Sequence, residues 1–234
     1  MSTISQIKLR NVTQLTDVSL VALAKSCRQL LELDLINCDR LSDETLWAIW
    51  RGLPHLRELS FNGGNAITDA GFPAKVHSGV VVGPLDDTSQ ITDISRLSRS
   101  DCISSPARIL VPSRNFERMR LLDLTALNNI TDIAIASIVA HMPRIRNLVL
   151  AKCTSLTDDS VLSICKLGKH LHSLHLGHVG RCAELQQISF IRTFICSYSI
   201  TDNAVTQLAR SCTRLRYIDL ACEWSVSIVQ EMIC

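Results

Sequence analysis

An α/β solenoid is the fold this sequence predicts, with a parallel sheet on a concave side and helices on a convex side. Three columns of residues, recurring in one register, predict it. The first apolar residue of each L-x-L pair falls at Ile7, Leu33, Leu59, Leu122, Leu148, Leu174 and Ile218, with gaps of 26, 26, 63, 26, 26 and 44. Hydroxyl–aspartate pairs keep the same step, at Thr16-Asp17, Ser42-Asp43, Thr68-Asp69, Thr131-Asp132, Thr157-Asp158 and Thr201-Asp202. A third column lies six residues before each L-x-L pair and holds Met1, Cys27, Leu53, Phe116, Met142, Gly168 and Cys212.

An L-x-x-L-x-L segment repeating every 26 residues lies within the leucine-rich-repeat range of about 20–29. One unit shows why. In CRQLLELDLINCDRLSDETLWAIWRG, residues 27–52, Leu33 and Leu35 point into the core while Glu32, Asp34 and Ile36 point out, as a short strand requires. Cys38 closes the strand inside the core. Ser42 stands where a helix N-cap belongs, with Asp43 and Glu44 favourable in the first turn. Leu46 and Ile49 are three apart, on the inner face of that helix. Each unit covers its neighbours' apolar faces, so a unit is stable only in a stack. About seven such repeats are expected in a right-handed horseshoe.

The repeats divide the chain. Residues 1–72 read as leucine-rich repeats. Residues 73–115 break the pattern, because Pro73 stops the helix that should follow Thr68-Asp69. The stretch beyond it is rich in Ser, Gly, Pro and Asp, and Thr92-Asp93 leaves two readings open, an irregular loop or a decayed repeat. Residues 116–222 resume the repeat. Removing Arg181–Tyr198, which carries two of the five phenylalanines, restores the period there. That piece reads as a splice or gene-model artefact, or as a lateral insertion whose apolar residues need burial. Residues 223–234 form a divergent tail. Met1 already occupies a repeat column, so the chain reads as part of a longer, capped array.

Composition narrows the function. With 47% hydrophobic and 20% charged residues the chain can bury a core. A net charge of +2 does not predict a nucleic-acid binder. No apolar run is long enough to span a membrane, and the first residues lack a signal-peptide core, so cytoplasm or nucleus is expected. In a reducing compartment the ten cysteines are expected to be thiols, and none forms a C-x-x-C pair. Cys27, Cys38, Cys153, Cys212 and Cys222 fall at or beside core columns, where a thiol acts as a small hydrophobe. Cys182 and Cys196 lie in the suspect piece. No G-x-S-x-G, P-loop or H-E-x-x-H occurs, and Asp86, Asp87, His77 and Cys102 of the irregular segment form no catalytic arrangement. A non-catalytic protein is expected, with no cofactor. His170, His172, His175 and His178 are close in sequence, but strand alternation turns His175 outward and the ligands do not converge as a metal requires.

The pattern C-x-x-L-x-x-L-x-L-x-x-C-x-x-L-[ST]-D-x-x-[LV] resembles the cysteine-containing class of leucine-rich repeats, found mainly in F-box proteins of SCF ubiquitin ligases. RLLDLTALNNITDIAI, RIRNLVLAKCTSLTDDSV, HLHSLHLGH and ITDNAVTQLARSCTRLRYIDLAC are similar to the fungal substrate receptors of the glucose-repression and G1-cyclin-turnover family. The resemblance implies a module that binds phosphorylated target proteins on its concave face for ubiquitin-dependent degradation, in cell-cycle and nutrient signalling. Ligase adaptor and cullin would be partners only through an upstream F-box, since these residues contain none. The alternative is a stand-alone repeat scaffold or inhibitor without ligase association.

The expected binding residues follow from two columns. Between the paired apolar positions lie Lys8, Asp34, Ser60, Asp123, Val149, His175 and Asp219, projecting outward. Two residues before each pair lie Ser5, Leu31, Arg57, Arg120, Arg146, His172 and Arg216. Arg118, Arg144 and Lys152 add charge. The concave-face site is therefore expected to comprise Arg57, Arg120, Arg146, Lys152, His175 and Arg216. Arginine forks suit phosphate, which they bind bidentately. The competing reading is ion pairing of these arginines with Asp34, Asp123 and Asp219.

Overall fold

A computed structural model describes residues 4–64, 66–73, 115–177 and 200–220. Nearly all of the 73–115 segment, the 181–198 insertion and the 223–234 tail lie outside them, as do Met1, His178, Cys182, Cys196 and Cys222.

The fold is an α/β solenoid. Among the described residues, seven strands, β1 (Gln6–Lys8), β2 (Glu32–Ile36), β3 (Glu58–Asn62), β4 (Leu121–Asp123), β5 (Asn147–Val149), β6 (Ser173–His175) and β7 (Tyr217–Asp219), form one parallel sheet in sequential order. Helices α1 (Asp17–Ser26), α2 (Asp43–Gly52), α3 (Asp132–His141), α4 (Asp158–Ile164) and α5 (Asp202–Ser211) alternate with the strands. The first L-x-L column forms one register: Ile7 faces Leu33, then Leu59, Leu122, Leu148, Leu174 and Ile218. β3 pairs directly with β4, although 63 residues separate Leu59 from Leu122.

Within the unit 27–52, Leu33, Leu35, Cys38, Leu46 and Ile49 are all buried. Asp34 departs from expectation. It faces outward but is only 7% exposed, because Arg10 covers it at 2.5 Å. Cys27 is half-buried rather than buried. Gly168 does not fill its core column. Its φ of +51° and ψ of −125° suit glycine, and Leu167 is buried instead, in a 3-10 turn at Cys165–His170 that extends the short α4.

The cysteine column has a physical cause. Cys38 and Cys153 each donate Sγ–H to the carbonyl of a leucine one unit earlier, Leu9 and Leu124, both at 3.1 Å. Burial raises both thiols, Cys153 to about 12, so they are unreactive.

The Thr/Ser-Asp pair does more than cap a helix. Each aspartate accepts both the backbone N–H and the hydroxyl of the next unit's Ser or Thr: Asp17 from Ser42, Asp43 from Thr68, Asp69 from Thr131, Asp132 from Thr157 and Asp158 from Thr201. These distances run from 2.6 to 2.9 Å. The same hydroxyl oxygen accepts an N–H of its own helix or turn at Ser42, Thr68, Thr131 and Thr157. One residue pair therefore caps its helix and staples it to the neighbouring unit.

Among the described residues, the third unit carries only a short turn after its strand. Thr68 caps a three-residue 3-10 turn, Asp69–Gly71, and Pro73 follows. Flanking units close over it. Trp47 and Trp50 of α2 donate Nε1–H to the carbonyls of Ala70 and Gly71, both at 2.9 Å. Ser137 of α3 donates to the carbonyl of Pro73. The Trp50 ring also meets Phe116, with centroids 5.0 Å apart.

Candidate functional site: an arginine groove at the strand entrances

The parallel ladder begins one residue before most strands, and that extra rung carries the basic column. Leu31 N–H bonds to Ser5 O, Arg57 to Leu31, Arg120 to Arg57, Arg146 to Arg120, His172 to Arg146 and Arg216 to His172, at 2.7–2.8 Å throughout. Neighbouring rungs lie about 4.8 Å apart. Arg57, Arg120 and Arg146 are thus successive, although 63 residues separate the first two. The rung from Arg57 to Arg120 keeps the column unbroken across residues 73–115.

Arg57, Glu58, Arg118, Arg120, Leu121, Arg146 and Asn147 line a groove of about 550 Å³. It lies where the strands begin, bordering the outer sheet face through Glu58, Leu121 and Asn147, which share one register position. Arg144 stands close enough to act on the charge of Arg120. The groove therefore gathers guanidinium groups from three adjacent units.

Arg120 is the fixed member. It is half-buried, and its Nη1 donates to the carbonyls of Glu117, Met119 and Arg144 at 2.9, 3.1 and 3.2 Å. These bonds tie one unit's turn to the next. Burial lowers its pKa, and the positive charges of Arg146, Arg144 and Arg57 lower it further. Arg57 and Arg146 are exposed. Among the described residues, no carboxylate lies within ion-pair distance of Arg57, Arg118, Arg120, Arg144 or Arg146. Arg118 meets His55 Nδ1 at 3.1 Å.

The aspartates of the outer column are engaged elsewhere. Asp34 holds Arg10 and the backbone N–H of Ile36. Asp123 accepts the N–H and hydroxyl of Thr125 in its own turn. Asp219 faces His175. Glu58 lines the same groove without pairing with any of these arginines, so among the described residues the groove keeps a net positive charge, which suits a ligand bearing two negative charges on clustered oxygens.

The remaining expected residues lie apart from this groove. Lys152 sits past the opposite end of β5, with φ +62°, and its N–H bonds to Gly177 O. It shares this left-handed turn position with Asn11, Asn37, Gly63 and Ala126. Arg216 is exposed at the rung before β7, beyond His172 in the column. His175 belongs to a separate cluster on β6 and β7. Its Nε2 is 3.1 Å from Ser173 Oγ, its Nδ1 is 3.7 Å from Asp219, and its ring meets Tyr217 at 4.7 Å. Ser, His and Asp follow here in the order of a charge relay, but 3.7 Å is an ion-pair distance, too long for the orienting hydrogen bond. The Ser173 backbone N–H is spent on Arg146 O and cannot serve an oxyanion.

Sequence reasoning placed Arg118 and Arg144 beside the column but missed the locking of Arg120 by three carbonyls. Arg118 and Arg144 each precede a column arginine by two residues, and that shared spacing was the available signal.

No protein-family model matches this sequence, and no curated protein does. Among solved structures, the chain is similar to one from the crystal structure of the Rad7 and Elc1 complex in yeast, with a TM-score of 0.58 and 16% sequence identity. The match covers 90% of this chain and 42% of that one. At this identity the likeness is one of fold. This chain spans less than half the length of its neighbour.

Proposed function

We propose that this chain is the target-recognition repeat module of an E3 ubiquitin ligase substrate receptor, and that it holds phosphorylated protein segments in the arginine groove. The observation that carries the reading is the run of Arg57, Arg120 and Arg146 on consecutive rungs, joined by Arg118 and Arg144, with no carboxylate in ion-pair reach among the described residues. Each guanidinium can offer a paired donor fork to phosphate oxygens. The cysteine-type repeat supports the ligase side of the reading through its resemblance to F-box receptors, and the Rad7–Elc1 neighbour supports the same repeat architecture. The chain's part is positioning: ubiquitin transfer is carried out by partner subunits, and no residue here forms or breaks a bond. Cytoplasm and nucleus are the compartments where such a receptor works.

Arg57 and Arg146 are the residues to test, because Arg120 also holds three carbonyls and its loss would disturb the turns. In calorimetric titration with a phosphopeptide, Arg57→Glu/Arg146→Glu is expected to weaken binding at least about a hundredfold, as loss of two charge-assisted contacts implies. Its melting curve should match that of the parent chain. Unchanged affinity in the folded double variant would remove phosphate recognition from this groove.

A further inference from the structure

The groove is one end of a longer basic track. Two residues before each L-x-L pair, from β3 to β7, stand Arg57, Arg120, Arg146, His172 and Arg216. Four residues before it stand His55, Arg118, Arg144, His170 and Arg214. The corresponding residues of the β2 unit, Leu31 and Gln29, carry no charge. The rung hydrogen bonds align the first column. Contacts between units align the second with it: Arg118 meets His55, and Arg120 donates to the carbonyl of Arg144. His55, Arg120 and His172 are half-buried, and the other side chains of the two columns are exposed. Among the described residues, none of the ten lies within ion-pair distance of a carboxylate. In the five turns that carry them, 53–58, 116–121, 142–147, 168–173 and 212–217, the acidic residues are Glu58 and Glu117, both at the groove end. The turns from 142 onward hold no acidic residue. The positive field runs on from the groove: desolvation lowers the pKa of His170, and the charges of Lys169, Arg144, Arg214 and Arg120 lower it further.

We propose that the far half of this track, His170, His172, Arg214 and Arg216, holds acidic side chains on one side of the target's phosphorylated residue, so that the ligand is an extended phosphopeptide with a one-sided acidic flank. The proposal rests on phosphate binding in the groove. Its geometry follows from the sheet. Three rungs separate Arg120 from Arg216, about 14 Å at about 4.8 Å a rung. A peptide crossing the strand entrances advances about 3.3 Å per residue, so about four residues cover that distance. Alternate side chains of an extended peptide share a face. With the phosphate at Arg120, the second residue along therefore faces the track between Arg146 and His172, and the fourth faces it at Arg216. Carboxylates at those two places accept from guanidinium forks as phosphate does. A peptide fits this track better than a nucleic acid. The ten positions hold no Phe, Tyr or Trp for a base to stack on, and Tyr217, next in the chain, already packs on His175.

Calorimetric titration of the full chain with three phosphopeptides tests this. One has neutral flanks. The others carry Asp at the second and fourth residues, on the N-terminal or on the C-terminal side of the phosphorylated residue. One acidic peptide is expected to bind about tenfold more tightly than the neutral one, and the other no more tightly, because the track extends from the groove in one direction only. Lys in place of Asp on the favoured side should weaken binding to the parent chain, a result that needs no variant. In Arg214→Ser/Arg216→Ser, whose replaced side chains are exposed, all three peptides should bind alike. Equal affinity of the three for the parent chain would overturn the proposal and leave the phosphate reading standing. An equal gain from both acidic flanks, or a gain that survives in the double variant, would also overturn it. Tighter binding of a single-stranded oligonucleotide than of either acidic peptide would give the track to nucleic acid instead. A neutral-flank phosphopeptide that does not bind would remove the phosphate reading, and this proposal with it.

Discussion

Trp50→Ala is expected to lower the unfolding free energy by about 3–5 kcal/mol, the largest loss from any single substitution considered for this chain. Trp50 is fully buried and links three units. It rises from α2 of the second, donates to Gly71 O in the 3-10 turn of the third and packs its ring on Phe116 of the fourth. Truncation leaves a cavity that the neighbouring units cannot close without moving, and it orphans a buried carbonyl. Trp50→Phe separates the two effects. It keeps a ring near Phe116 but loses the N–H donor, and should cost about 1–2 kcal/mol. Urea unfolding followed by circular dichroism measures both. A loss under about 1 kcal/mol for the alanine variant would mean that Trp50 does not bridge the units.

The staple gives the second large effect. Asp69→Ala is expected to destabilise by about 2 kcal/mol. It removes two charge-assisted bonds to Thr131, each nominally about 1.5–3 kcal/mol but weakened by partial exposure. The loss falls where β3 meets β4 across residues 73–115, so unfolding should become less cooperative between the two halves. Asp202→Ala is the matched control. Among the described residues that aspartate accepts no hydroxyl of a following unit, so its loss should cost under about 0.5 kcal/mol, through the helix dipole alone. Equal effects at Asp69 and Asp202 would contradict the staple.

Acid adds a signature at Asp17. Burial raises its pKa, but hydrogen bonds from Thr45 and Ser42 together outweigh burial and hold it below the ordinary 3.8. With the folded pKa depressed, its contribution is complete above that ordinary value and is lost as the pH falls through the lower folded value. Asp17→Asn should therefore flatten the fall of stability in this acid window and leave its slope at neutral pH unchanged.

Much of this architecture was legible in the sequence because a repeat writes its geometry several times. The recurring columns placed the strand registers from Leu33 to Ile218, even across the longer gaps, since only one alignment puts all the leucines on the core side. Ser42 read correctly as a cap because capping is local, and Thr68, Thr131 and Thr157 of the same column cap in the same way. The staple was not legible, although the separation of Asp17 and Ser42 recurs between Asp43 and Thr68 and between Asp132 and Thr157. A column shows that a residue recurs, not whether its partner lies in its own unit or the next. Asp34 and Arg120 escaped prediction for a related reason. The parity of a strand gives the direction of a side chain, but not which neighbour, Arg10 or the Arg144 carbonyl, will cover it. Gly168 misled because its column was read without its backbone, and Leu167 fills the core there. Lys152 is close to Arg146 in sequence but lies past the far end of the strand.

The groove's claim on phosphate is tested most directly by titrating the parent chain with one peptide in two forms, phosphorylated and unphosphorylated, at low and at high salt. The account predicts binding of the phosphorylated form alone, weakening as salt screens the guanidinium field. Equal binding of both forms, or binding that salt leaves unchanged, would contradict it.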